Sequence, residues 1–90
     1  MKVVVRLLRP FSDAAGKATV DVVIPEGSTV RGLVAQLCEL FPTLRAHIYE
    51  PGGGMTEYLT MFLNDRPVTD VDIPLGDGDE VLMMFPVSGG

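Results

Sequence analysis

The residues with the most distinctive chemical potential stand at the end of the sequence, where Ser88, Gly89 and Gly90 follow the apolar run 81–87. Gly89 and Gly90 carry no side chain, so they could enter a narrow channel as bare backbone. The α-carboxylate of Gly90 would then be the reacting group, activated inside the active site of another protein. A frayed chain end is the simpler interpretation, because terminal residues are commonly poorly ordered. The rest of the sequence has to decide between the two.

The interior of the sequence lacks the residue groupings expected of an enzyme. Cys38 is the only cysteine and His47 the only histidine, so neither a triad nor a ligand cluster can be recognised. Cys38 lies beside an apolar helical pattern, which favours a small buried side chain. Asp77 and Asp79 alternate with glycines, as is typical of a turn, and the run 51–54 (PGGG) predicts a surface loop. We therefore predict no active site, no metal site and no bound cofactor in the domain itself.

Size and charge narrow the class of protein further. The 90 residues are 47% hydrophobic and 21% charged, which is typical of one small globular domain. The formal net charge of −5 argues against a nucleic-acid partner, which needs a basic face. No apolar run approaches the length of a membrane span, and no signal peptide is recognisable at the start. We expect a soluble cytoplasmic protein.

The order of predicted elements is strand, strand, helix, strand, short strand, strand. A helix begins after Ser28 or Thr29 as N-cap and carries apolar residues at helical spacing from Val30 to Phe41. Segments 12–17 and 43–58 show little periodicity and are predicted to be a turn and a loop. The predicted strands span 2–9, 18–24, 59–64, 66–68 at an edge, and 80–87.

This element order predicts an α+β domain of the β-grasp, or ubiquitin-like, type. One main helix has to cover one face of a mixed sheet of four to five strands. The last strand most simply lies parallel to the first in the centre of that sheet. We assign residues 1–86 to the domain and residues 87–90 to a flexible Gly-Gly tail.

The alternation of the strands predicts an apolar patch on the face of the sheet that the helix leaves open. Odd-numbered strand residues face the helix, so Leu8, Phe62, Leu82 and Met84 point outward. Burying such side chains at a contact contributes up to about 1.5–3 kcal/mol each. Exposed apolar patches mark binding sites, although a second, minor core beneath the segment 43–58 would also explain these residues.

At this point the sequence resembles a known family, the MoaD/ThiS sulfur carriers, which are prokaryotic ubiquitin-like proteins. The resemblance covers essentially the whole chain. Its strongest parts are the run 76–81 (GDGDEV), similar to the family's DGDEV, and the ending 86–90 (PVSGG). Asn64-Asp65 after the third strand, the helix 30–40 and the 40–42 exit (LFP) also match. Phe85 replaces the first of the two prolines usual in MoaD tails, and the segment 43–58 is longer than usual.

The resemblance implies a defined chemistry and defined partners. An E1-like enzyme of the MoeB/ThiF type would use Mg-ATP to adenylate Gly90, and sulfur would then replace AMP to give a C-terminal thiocarboxylate. Gly89 would let the end of the chain pass through a narrow channel of the partner. Pro86, Val87 and Ser88 would contact the partner together with the outward-pointing patch. The sulfur acceptor implied first is the large subunit of molybdopterin synthase, in molybdenum cofactor biosynthesis. The domain would be a carrier subunit without catalytic residues of its own.

Three alternatives stay open from the sequence. The same carrier chemistry could serve cysteine, thiamine or tRNA thiolation, which would change only the acceptor. Gly90 could instead be conjugated to lysines, as in a ubiquitin-like modifier, with a JAMM-type protease trimming the tail. In the last alternative the domain binds partners without covalent chemistry and the Gly-Gly pair is incidental.

Overall fold

The computed structural model describes residues 1–86, and Val87 to Gly90 lie outside the described residues. The predicted boundary between a domain and a tail at residue 86 therefore stays a prediction. None of the helices in residues 1–86 is long and apolar enough to cross a membrane. The described strands are β1 Lys2–Leu7, β2 Thr19–Val23, β3 Thr60–Leu63, β4 Arg66–Pro67 and β5 Glu80–Met84, and the helices are α1 Phe11–Ala15, α2 Val30–Leu40 and α3 Arg45–Ile48, with a 3₁₀ turn at Pro42–Leu44.

Residues 1–86 form a five-stranded mixed sheet in the order β2-β1-β5-β3-β4. The central strands β1 and β5 run parallel, with Val5 paired to Val81. The other neighbours are antiparallel, as β2 returns beside β1 and β3 lies on the far side of β5. The predicted α+β architecture, with its parallel central pair and the short edge strand at Arg66–Pro67, is confirmed.

Helix α2 covers one face of this sheet, as its apolar periodicity predicts. The Thr29 side chain caps the helix by accepting a hydrogen bond from the Gly32 N–H at 3.2 Å. Cys38 is 1% exposed, and burial raises the pKa of its thiol, so it is a core side chain. The α2 residues that enter the core are Val30, Leu33, Val34, Leu37 and Cys38.

The strands present their odd-numbered positions to α2 in the central part of the sheet. Alternation along each strand puts these side chains on one face, and the structure buries them. The predicted inward parity is confirmed for β1, β3 and β5, but it is wrong for β2, where the register with β1 buries the even-numbered Val20 and Val22. The odd-numbered core residues of β1, β3 and β5 are Val3, Val5, Leu7, Met61, Val81 and Met83.

Two segments contradict the sequence prediction. The predicted turn at 12–17 is wrong in part, because Phe11–Ala15 is a short helix that ends at Gly16 with φ 74°. The predicted loop at 43–58 is also wrong in part, because a 3₁₀ turn and α3 occupy its beginning and bury Leu44 and Ile48. Helices this short leave no recognisable apolar periodicity in the sequence, and they form only where tertiary contacts stabilise them.

The first turn of α2 is tied to the segment that precedes β5. The Val30 N–H donates to the Ile73 carbonyl at 3.2 Å, and the Arg31 N–H donates to the Val71 carbonyl at 2.8 Å. These bonds satisfy backbone donors that a helix start leaves without an intrahelical partner. The Arg31 guanidinium also binds the Asp72 carboxylate, with a shortest N–O distance of 2.8 Å. This hydrogen bond lowers the pKa of Asp72 below its ordinary value.

The lowered pKa predicts a small pH-dependent contribution of Asp72 to stability. Because the carboxyl is more acidic in the folded than in the unfolded chain, its contribution is present above the ordinary pKa of 3.8 and disappears as pH falls through the lower folded-state pKa. We expect Asp72→Asn to lower the urea midpoint slightly at neutral pH and to match the unsubstituted protein in acid. Asp21→Asn is the control, since Asp21 makes no ion pair within residues 1–86. An Asp72→Asn deficit that persists in acid would contradict this account.

Candidate functional site

The open face of the sheet carries apolar side chains at its centre. Leu82 of β5 pairs with Phe62 of β3 on one side and with Arg6 of β1 on the other. Met84 lies two residues further along β5, on the same face as Leu82. Phe62, Leu82 and Met84 are each half-buried, so part of each side chain faces solvent. The structure thus brings Phe62 and Leu82 directly together.

Leu8 extends this apolar surface at the end of β1. Its N–H donates to the Met83 carbonyl at 3.0 Å, which keeps the chain beside β5 after the last strand residue Leu7. The Leu8 side chain is 46% exposed. We call Leu8, Phe62, Leu82 and Met84 the outer patch. That the outer patch binds a partner stays a prediction.

The alternative of a second core beneath segment 43–58 does not match the packing. Leu44 and Ile48 from that segment are fully buried in the main core, among the residues that α2 covers. The outer-patch residues do not belong to that core or to the partly buried residues packed against it within residues 1–86. Segment 43–58 therefore supports the covered face of the domain.

A charged pair borders the outer patch, and the sequence analysis did not find it. Arg6 Nε lies 2.6 Å from Glu80 Oε1, and the two side chains are 62% and 39% exposed. A surface ion pair of this kind contributes little to stability, but it fixes a charge of each sign beside Leu82. Strand alternation placed Arg6 on this face. Its pairing with Glu80 depends on the register between β1 and β5, which the sequence does not reveal.

The turn before β5 fixes the register of that strand. Asp79 accepts the Gly76 N–H at 2.7 Å with Oδ2 and the Asn64 side-chain amide at 3.0 Å with Oδ1. The side-chain oxygen Oδ1 of Asn64 in turn accepts the Glu80 N–H at 2.9 Å. Asp77 Oδ1 accepts the Lys2 N–H at 2.8 Å. The two aspartates thus serve the turn, as their spacing predicts.

The remaining predicted site residues lie at or beyond the end of the described chain. Pro86 is exposed directly after Phe85. Val87, Ser88, Gly89 and Gly90 lie outside the described residues, so their roles stay predictions. The part of the chain that is described contains no group of three or more His, Cys, Asp or Glu side chains able to hold a metal ion.

A family comparison matches nearly all of this chain. The model of the ThiS family matches residues 5–90, a range that includes the turn before β5 and Gly90. The comparison with curated proteins finds no match.

Solved structures share the fold over their whole length. SAMP1 from Haloferax volcanii is 23% identical, with 100% of both chains covered and a TM-score of 0.93. A putative molybdopterin converting factor subunit 1 from Pyrococcus furiosus is 26% identical, with 97% of this chain and 99% of that chain covered and a TM-score of 0.80. A chain of the BexX/CysO complex from Amycolatopsis orientalis is 18% identical, with 98% and 99% covered and a TM-score of 0.76. The β-grasp prediction is confirmed.

Two adjacent methionines test the assignment of the two sheet faces. Met83 is 0% exposed in the core, whereas Met84 lies half-buried in the outer patch. We expect Met83→Ala to lower the free energy of unfolding by about 2–5 kcal/mol, since it removes buried methylenes and leaves a cavity. Met84→Ala should cost about 1 kcal/mol or less. Urea denaturation of the two variants measures the difference, and equal losses would mean that the faces are assigned wrongly.

Proposed function

The chain belongs to the ThiS family of ubiquitin-like carrier proteins, and we propose that it carries sulfur as a thiocarboxylate on Gly90. The observation that carries this proposal is the family match over residues 5–90, which runs through the Gly-Gly pair. The fold supports it as well, because β5 lies in the centre of the sheet and leads directly toward residues 87–90. Both neighbouring strands, β1 and β3, hold β5 in the sheet, so the chain is fixed up to the end of this strand.

The chemistry proceeds in two steps on the Gly90 carboxyl group. A carboxylate oxygen attacks the α-phosphorus of Mg-ATP, pyrophosphate leaves, and an acyl-adenylate forms. Sulfur then attacks the acyl carbon and AMP departs with the electrons of the broken C–O bond. Hydrosulfide gives the thiocarboxylate directly, whereas a persulfide donor gives an acyl disulfide that a thiol then reduces. The partner enzyme supplies ATP, magnesium and the catalytic groups.

The outer patch is the surface that we propose for docking on the activating enzyme, of the E1-like MoeB/ThiF type. Phe62 and Leu82 supply contiguous apolar area beside the exit of β5, and the Arg6–Glu80 pair offers a polar rim. An apolar centre with a polar border is the usual composition of a protein interface. Docking there places the partner next to Pro86, from which the tail continues. Gly89 and Gly90 then enter the narrow channel of the partner as bare backbone, and Val87 and Ser88 lie at the entrance of that channel.

For the sulfur acceptor, we propose the large subunit of a molybdopterin synthase, in molybdenum cofactor biosynthesis. The support is the likeness to the Pyrococcus furiosus protein, a putative molybdopterin converting factor subunit 1 that is 26% identical. In such a complex the thiocarboxylate sulfur would attack a pterin precursor, and water would then hydrolyse the acyl–sulfur bond, which leaves the sulfur on the pterin and returns the carrier as the carboxylate.

A second candidate keeps the same activation and changes the acceptor. Its support is segment 43–58, which forms a 3₁₀ turn, helix α3 and a bridge between Tyr49 and Met55. A longer segment here is similar to carriers that serve cysteine synthesis or that are conjugated to proteins. In the conjugating case a target lysine attacks the activated Gly90 carbonyl, and a JAMM-type protease later releases the carrier.

The intact mass of the protein tests the carrier proposal. We expect incubation with Mg-ATP, an E1-like enzyme and hydrosulfide to raise the mass by the difference between one sulfur and one oxygen. A variant lacking Gly90 should show no increase, while its thermal stability should stay within the error of the measurement. The activating enzyme must be shown to thiolate another carrier in the same assay. No mass increase under those conditions would refute the carrier proposal.

Substitution in the outer patch tests the docking surface. We expect Phe62→Asp to raise the Kd for the activating enzyme at least tenfold, because a carboxylate would lie at the centre of an apolar contact. Tyr58→Asp is the control, since Tyr58 is 65% exposed outside the outer patch. Isothermal titration calorimetry measures both affinities, and circular dichroism shows whether each variant is folded. Equal affinities for the two variants would place the docking surface elsewhere.

A further inference from the structure

An aromatic contact closes the core at the end of β5. Phe85 is the first residue after the strand, and its ring packs edge-on against Phe11, with 4.7 Å between the centroids and 67° between the planes. Aromatic rings attract each other most strongly in edge-to-face or offset arrangements. Phe11 itself is 0% exposed, and His47 packs edge-on against it with centroids 6.3 Å apart. The Phe85 ring therefore rests on a side chain that is held from several directions.

The short helix α1 holds Phe11 in place. The Ser12 N–H donates to the Leu8 carbonyl at 3.1 Å, which ties the helix start to the end of β1. At the other end, the Thr43 hydroxyl donates to the Ala14 carbonyl at 2.6 Å. Because α1 is hydrogen-bonded to the end of β1 and to the 3₁₀ turn, Phe11 is held by contacts that do not involve Phe85. The Phe11 ring therefore gives Phe85, the residue that precedes the tail, a fixed surface to pack against.

Backbone hydrogen bonding between the ends of β1 and β5 also stops close to Phe85. The Leu8 N–H donates to the Met83 carbonyl at 3.0 Å, after β1 has ended at Leu7. Pro86 has no backbone N–H, so it cannot prolong the ladder of hydrogen bonds. Among residues 1–86, Phe85 is the last side chain packed against the core, and Pro86 is exposed. The Phe11–Phe85 contact is thus the last contact with the core along the described chain.

We propose that Phe11 and Phe85 form an anchor for the tail, and that Phe85 is a positioning residue for the activation of Gly90. This inference rests on the proposed carrier function. Five residues follow Phe85 up to Gly90, and at about 3.4 Å per extended residue they reach about 17 Å. A fixed root confines the Gly90 carboxylate to a smaller volume, which raises its effective concentration at the α-phosphorus of ATP once the domain has docked.

The anchor and the outer patch should affect different kinetic constants. Docking through the outer patch determines how tightly the partner binds, whereas the anchor determines how often a docked tail is in place to react. We expect Phe85→Ala to lower kcat for adenylation about two- to tenfold, the rate equivalent of one aromatic pair, with KM unchanged. Phe62→Asp should raise KM instead. Pyrophosphate exchange with the E1-like enzyme measures both constants.

Matched variants separate positioning from stability. Phe85→Tyr keeps the ring and should restore kcat. Val22→Ala removes buried volume from β2, away from the anchor, and should leave kcat unchanged even where its melting temperature falls as far as that of Phe85→Ala. Wild-type kcat in Phe85→Ala would overturn the proposal. A loss in Val22→Ala equal to that in Phe85→Ala would overturn it as well, because the effect would then come from global stability.

Hydrogen exchange tests the anchor without any activity. We expect the Leu8 amide, which bonds the Met83 carbonyl, to exchange faster in Phe85→Ala and in Phe11→Leu than in the wild type. The Leu33 amide, bonded to the Thr29 carbonyl in α2, is the internal reference. An unchanged ratio of the two rates would overturn the anchor even if the carrier chemistry holds. Failure of the wild type to be adenylated would refute the proposed function, while the exchange result would still decide the anchor.

Discussion

The parallel pairing of β1 with β5 is the interaction on which the rest of this structure depends. It joins the first strand to the last, so the whole chain between them has to form the remaining strands and the covering helices. Strand alternation then divides the side chains of both strands into a face buried beneath α2 and a face open to solvent. The core and the candidate docking surface are therefore two sides of the same strands. A change of one residue in register would exchange them.

Polar side chains at the start of β5 bind backbone groups and help to set the register of this pair. Asp79 and Asn64 bind each other and the neighbouring backbone N–H groups, and Asp77 binds the Lys2 N–H on β1. These contacts connect the turn before β5 to the ends of both neighbouring strands. Asp77 and Asp79 could suggest a cation site, but the hydrogen bonds that they accept in and around the turn explain why they are acidic residues. We propose that the chemistry takes place instead at the tail, in the active sites of partner proteins.

The proposed carrier function requires that β5 be held in place up to the point where the predicted tail begins. The strand β5 is held on both sides, and its end rests on the Phe11–Phe85 contact. On the open face beside β5, Phe62 and Leu82 stay partly exposed to solvent. Exposed apolar area does not stabilise an isolated domain, so adjacent apolar side chains on a surface are typical of a binding site. In the docking that we propose, a partner surface that covers these side chains would also receive the tail, because Leu82 lies on β5, the strand that precedes residues 87–90.

The sequence by itself determined the elements whose signals are local and long enough to be read. The period of α2 with its Thr29 cap, the alternation of β1, β3 and β5, and the Gly76–Asp79 turn all stand in the sequence and recur in the structure. The tertiary structure decided the rest. Helices α1 and α3 are too short to be stable alone, so Phe11 and Ile48 reveal their roles only once the core surrounds them. The Arg6–Glu80 and Phe11–Phe85 contacts join residues more than seventy positions apart, and such proximity follows from the pairing of the first strand with the last, which no local pattern encodes.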